Sequence, residues 1–129
     1  MSAPAPQHSD TLSRRRRAQA ERALIGALLL DGEAFVRVSN IVSEQDFVEH
    51  RNRKIYAVAR HLHDRGAAID STTVAAELER FGALADAGLE YLADLVEETV
   101  TAVNIEAYAE IVAGNTLSAK AKAECHWYQ

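Results

Sequence analysis

Five histidines, one cysteine and nineteen acids are the side chains of this 129-residue sequence best suited to hold a metal or move a proton. Their spacing argues against both uses. Metal ligands must converge on one point. His61 and His63 stand two residues apart in a helical stretch, so they project in different directions. Cys125-His126 has no second pair at zinc-site spacing, and surface histidines are the better reading. Acid–base catalysis needs carboxylates that share a buried cleft, where their proton affinities are pushed apart. Pairs such as Glu77 and Glu79, or Glu97 and Glu98, carry no such mark and read as solvated helix faces. No G-x-S-x-G elbow and no G-x-x-x-x-G-K-[ST] phosphate loop occurs. The sequence therefore predicts no catalytic residue, no metal and no cofactor.

The remaining chemistry is electrostatic. Arg14, Arg15, Arg16 and Arg17 precede the apolar run Ala23–Leu30. An export signal is excluded, because Glu21 and Arg22 interrupt the approach to the run and no small-residue cleavage pair follows it. The run is also too short to span a bilayer. The single cysteine rules out an internal disulfide and fits a reducing compartment, so the chain is expected in the cytoplasm, away from membranes. The arginines could contact DNA phosphates, although positive charge at a helix start is disfavoured by the helix dipole. A net charge of -5 argues against a surface devoted to nucleic acid. Residues 77–110 hold nine acids against Arg80 alone, so a partner of that half is more naturally basic or apolar. Arg51, Arg53, Lys54, Arg60 and Arg65 form a weaker basic patch, read as the outer face of a core helix.

These residues must sit on helices. Aromatics are few, alanine and leucine are abundant, and strand alternation never persists. "TVTAV" at 99–103 reads as a connection. Residues 1–16 read as a disordered basic lead, with helical pattern beginning near Arg14. Leu24, Ile25, Leu28 and Leu29 make one stripe, and Gly32 suits a left-handed position just past its end. Phe35, Val38 and Val42 mark a short second helix. Ser43 and Asp46 read as a capping box. Ile55, Val58, Ala59 and Leu62 line a helix ending at Gly66. Asp70 caps another, carrying Val74, Leu78 and Phe81 to Gly82. Leu89, Leu92, Leu95 and Val96 line the next. Thr101 is read as the cap of the last, whose apolar side is Ile105, Tyr108, Ile111 and Val112. The fold class predicted is all-α, a bundle of about six short helices, with Phe35, Phe47, Tyr56 and Phe81 in its core.

Four phrases resemble the N-terminal domain of DnaB-type replicative DNA helicases. They are "AERALIGALLLDGEAF" at 20–35, "SEQDFVEHRNRKIYAVARHLHDRGAAID" at 43–70, "ELERFGAL" at 77–84 and "YLADLVEETVTAVNIEAYAEIV" at 91–112. Their order and spacing also agree, over roughly residues 18 to 112. Val48 stands where the family carries an aromatic, and Asn52 where it often carries histidine; both are read as tolerable in a packing role. The resemblance implies a helical domain over 17–112 that does no chemistry itself. Its implied roles are to pair with its own kind in the collar of a hexameric ring and to help recruit primase. In the family a helical hairpin, a linker and a RecA-like motor follow. Here Gly114 weakens any continuing helix, and residues 113–129 read as a divergent tail, either the start of a hairpin helix or disordered.

Three functions remain in play. One is the interaction and oligomerisation domain of a replicative helicase. A second is a free-standing relative that modulates a host helicase. The third is a small DNA-binding protein using the arginine arm. For the partner face the candidates are Tyr91, Asp94, Glu97 and Glu98 of the acidic segment, with Asn104, Tyr108 and Ile111 of the terminal helix. The candidates for nucleic-acid contact are Arg14, Arg15, Arg16 and Arg17.

Overall fold

The apolar run that opens the domain is buried through its middle, although Leu30 at its end is exposed. From Leu24 to Leu29 each residue is inaccessible to solvent, Gly26 and Ala27 included. A helix apolar all round must sit inside a bundle rather than on its surface. That helix, α1 (Pro4–Leu30), accordingly packs against α6 (Ile105–Val112) and α5 (Leu89–Glu98), and more lightly against α3 (His50–Asp64). The computed structural model describes residues 4–84 and 88–114. Between α1 and α3 lie the single turn α2 (Phe35–Val38) and two 3-10 turns, Gly32–Ala34 and Glu44–Asp46. Helix α4 (Ser71–Arg80) lies against α3 and α5. The described residues thus form six helices and no strand, an all-α bundle as the sequence predicts, with 99–103 a connection.

Local chemistry explains most boundaries. The Asp46 carboxylate accepts from the Ser43 N–H at 2.9 Å, the reach-back half of the predicted capping box. Asp70 accepts from the Thr73 N–H at 2.8 Å, while Thr73 Oγ1 accepts from the Asp70 N–H at 2.9 Å. Gly66 and Gly82 end α3 and α4 with positive φ, which L side chains rarely adopt.

Elsewhere tertiary context changes the expectation. Helix α1 starts at Pro4, so residues 4–13 are helical where the sequence suggests a disordered lead. Pro4 and Pro6 both fall in the first turn, whose N–H groups have no intrahelical acceptor to lose. Gly32 does not take a positive φ; a Cβ there would overlap the Ile69 carbonyl, so its glycine serves close approach. The cap of α6 is Asn104 rather than Thr101. Phe81, expected in the core, is 56% exposed, whereas Phe35, Phe47 and Tyr56 are fully buried and packed ring to ring at 4.9–5.3 Å. Phe81 is the C-cap of α4, where the chain turns outward at Gly82. Leu89 and Ile111 also face solvent, since α5 and α6 bury Tyr91, Leu92 and Leu95, and Ile105, Ala109 and Val112. Residues 115–129, with Cys125 and His126, lie outside the described residues.

At the crossing of α1 and α5, Gly26 meets the C-terminal end of α5. A Cβ at Gly26 would overlap Thr99 Oγ1 and stand 2.9 Å from the Leu95 carbonyl oxygen. Alanine is favoured over glycine by about 1 kcal/mol in a helix. Overpacking reverses that preference here. Gly26→Ala is expected to lower stability by about 1–3 kcal/mol in urea unfolding followed by circular dichroism.

Candidate interaction surfaces

One buried carboxylate ties three helices together. Glu21 of α1 is only 1% exposed, and its oxygens accept from the Val48 N–H at 2.7 Å, the Glu49 N–H at 3.1 Å and Asn52 Nδ2 at 3.0 Å. These groups belong to the entry of α3, where the first N–H groups otherwise lack acceptors. Asn52, itself buried, turns its Oδ1 to accept from the Tyr91 hydroxyl of α5. Asn52 is therefore a polar junction, not the packing residue its sequence position suggests. The Arg51 and Arg22 guanidiniums lie over the Tyr91 ring, 3.9 and 5.2 Å from its centroid. Arg22 also grips Glu98 with two hydrogen bonds, which raise its already high pKa.

Beside this junction α1 and the α5–α6 connection enclose a cleft of about 390 Å³, lined in part by Arg22, Glu98, Thr99, Val100, Thr101 and Tyr108. The structure sorts the candidate partner residues around it. Glu98 and Tyr108 line the cleft, and Tyr108 and Ile111 stand three residues apart on one side of α6. Ile111 and Asn104 are exposed, as are Asp94 and Glu97 on the outer face of α5. Tyr91 is buried, and its hydroxyl is committed to Asn52, so it shapes the fold beneath the face. Val100, 91% exposed, carries apolar surface in the cleft wall, and Val103, 75% exposed, follows it in the same connection; neither is among the candidates. Their sequence signal is slight, since valines in a connecting segment look like loop filler.

The arginine run divides. Arg14, Arg15 and Arg16 are exposed, whereas Arg17 is partly buried and donates from Nη2 to the Asp46 carbonyl at 3.2 Å. Glu77 behaves unlike the solvated face expected of it, and Asp46 keeps the capping role expected of it. Glu77 is nearly buried, and its Oε2 receives Arg65 at 3.2 Å, Arg80 at 3.4 Å and His61 Nε2 at 3.1 Å. Asp46 is buried in the turn it closes. His63 instead stacks on Phe35, 5.0 Å between centroids. Among the described residues no three histidines, cysteines or acids converge as a metal site would require, and none of the helices is long and apolar enough to cross a membrane.

An all-helical bundle with clefts on its surface is the class of protein defined so far. Residues 14–114 match the DnaB-like helicase N-terminal domain family, and the chain belongs to it. It is 39% identical over 95 residues to the replicative DNA helicase DnaB of Geobacillus stearothermophilus, covering 73% of this chain and 21% of that protein. With the Rhodothermus marinus DnaB the identity is 33% over 100 residues, covering 77% of this chain and 11% of that one. The chain thus matches about 21% and 11% of the length of these two relatives. The crystal structure of the N-terminal domain of the Mycobacterium tuberculosis DnaB helicase superposes with a TM-score of 0.71 at 36% identity, covering 74% of this chain and 67% of that one. A fold likeness extends to the N-terminal domain of the Helicobacter pylori DnaB helicase, a structure described together with its interactions with primase. There the TM-score is 0.65 at 18% identity, covering 90% of each chain.

Two measurements probe the junction. Glu21→Ala leaves two backbone N–H groups and the Asn52 amide without their acceptor, and is expected to cost about 2–4 kcal/mol in urea unfolding. Glu97→Ala, on an exposed face, should change stability by no more than about 0.5 kcal/mol. Burial pushes the Tyr56 phenol from 10.0 up to about 12 and raises Tyr91 as well. A raised phenol pKa means the folded state keeps a proton that the unfolded chain releases. The associated stability is whole below pH ~10 and is lost as pH climbs toward ~12. Thermal unfolding across that window should show the decline, and Tyr56→Phe should reduce it.

Proposed function

We propose that this chain is a non-catalytic interaction domain acting in DNA replication in the cytoplasm, associating with its own kind in a helicase collar and docking primase. Its matched residues correspond to the N-terminal part of the helicase relatives, and the sequence contains no Walker-type phosphate loop. The observation that carries the reading is the face where Val100 stands in solvent and half-buried Tyr108 lines the cleft beside the Arg22–Glu98 pair, with Ile111 exposed one turn further along α6. Exposed apolar surface with a polar rim is the usual mark of a protein contact. A second copy can meet it symmetrically, because a two-fold pairing needs only one self-complementary patch. Primase docking rests on family membership and on the neighbour described with primase. DNA is met only indirectly, or through Arg14–Arg17, of which Arg17 keeps one nitrogen on the Asp46 carbonyl.

Sedimentation velocity across a concentration series is expected to show self-association of the intact chain. Val100→Asp and Tyr108→Glu should each shift the distribution toward monomer, while Glu79→Gln, exposed on α4, leaves it in place. An unchanged distribution in both apolar-face variants would remove this face from the reading. Mixing the chain with primase and with a full-length helicase, then measuring complex size and unwinding rate, separates docking from modulation of a host ring.

A further inference from the structure

On another face of α1, between that helix and the turn that enters α3, lies a second cleft of about 520 Å³. Its arginines, Arg14 and Arg17, are matched by the carboxylates of Glu21 and Glu49, so it favours neither sign of charge. Two other surfaces are one-sided. The first is the start of α1, where every residue from Leu12 to Arg16 is exposed and the helix stands clear of the bundle. Residues 11–20 contain four arginines and no acid. Leu12, Arg15 and Arg16, at i, i+3 and i+4, share one side of the helix. Neither Arg15 nor Arg16 has an acceptor among the described residues. The second surface is the outer side of α5. Leu89, 60% exposed, and Ala93, also exposed, make an apolar ridge at i and i+4. Glu90, Asp94 and Glu97 make an acidic ridge beside it, all exposed and none ion-paired among the described residues. Arg22, which Asp94 influences at a distance, is held by Glu98. Residues 89–112 contain no lysine, arginine or histidine. Within one copy the two surfaces do not meet, and α1 is a continuous helix with no break at which it could bend toward α5.

We propose that a second copy of this chain supplies what each surface lacks. The start of α1 in one copy lies along the outer side of α5 in another, with Arg15 and Arg16 against Glu90, Asp94 and Glu97, and Leu12 against Leu89 and Ala93. Solvated ion pairs alone contribute little, so the charges steer the approach and fix the register while the apolar contact adds burial. Each copy uses two different patches, which makes the contact heterologous. It is distinct from the two-fold pairing at Val100 and Tyr108 and does not depend on it. A DNA strand accounts for the arginines alone, and leaves Leu12 and the ridges of α5 unexplained.

Sedimentation velocity tests this with the intact chain carrying Val100→Asp, which takes the other face out of play. Self-association is expected to persist, and to weaken as salt rises from about 50 to about 500 mM. Arg15→Glu with Arg16→Glu, or Asp94→Arg with Glu97→Arg, should each weaken it at least about tenfold. An equimolar mixture of these two variants should restore it, because each then presents the charge the other needs. Glu79→Arg on α4 and Glu110→Arg on α6, both at exposed positions, should leave it within about twofold. A chain that stays monomeric at every concentration overturns the proposal, as does a mixture that fails to associate. Equal losses from Glu79→Arg and Glu110→Arg would mean diffuse charge attraction and overturn it too. A labelled single-stranded oligonucleotide tests the competing occupant. Binding lost in the Arg15→Glu, Arg16→Glu variant, with the oligomer distribution unchanged, assigns the arginines to DNA and likewise overturns the proposal.

Discussion

The Glu21 carboxylate is the constraint on which the rest of this domain depends. It sits in the wall of a nearly dry bundle, where an unpaired charge is costly, and every hydrogen bond it accepts comes from the entry of α3 or from Asn52. Through Asn52 it reaches Tyr91, and through Tyr91 it meets the guanidiniums of Arg51 and Arg22. One connected polar unit therefore sets the relative placement of α1, α3 and α5. Such units favour a single arrangement because any slip of one helix leaves several buried groups unsatisfied.

Helix α1 consequently has two roles along its length. Its C-terminal half is an interior helix, enclosed by α5, α6 and α3, with Gly26 allowing α5 to approach closely. Its N-terminal half carries the arginines at the edge of the bundle. The two clefts lie on different faces of this one helix, the first by Arg22 and the second by Arg14 and Arg17. The polar junction lies between them, and Glu21 itself lines the second. The junction thereby holds the walls of both clefts in a fixed relation.

Adjacent residues in sequence are not a patch in space. The four arginines look like one basic cluster when read as letters, yet steps of about 100° around a helix scatter them. Arg14 and Arg17 turn toward Val48, and Arg15 and Arg16 point elsewhere. The reverse holds for the acids. Glu77 stands among solvated-looking neighbours, yet converges with His61, Arg65 and Arg80 on α3 and α4. Its partners lie up to sixteen residues away, a separation that periodicity does not register.

By itself the sequence determined the helical class, the capped starts at Ser43 and Asp70, the stops at Gly66 and Gly82, and the membership that four spaced phrases carry. These are legible because they depend on neighbours within a turn or two, where side-chain spacing and backbone preference act directly. Only the tertiary structure decided which acids are buried, that Phe81, Leu89 and Ile111 face outward, that Tyr91 belongs beneath the surface, and that Arg17 is a structural residue. Each of those depends on what another helix brings to the same point. An amphipathic pattern states that a helix has an inner face, but the bundle alone selects how far around the helix that face extends.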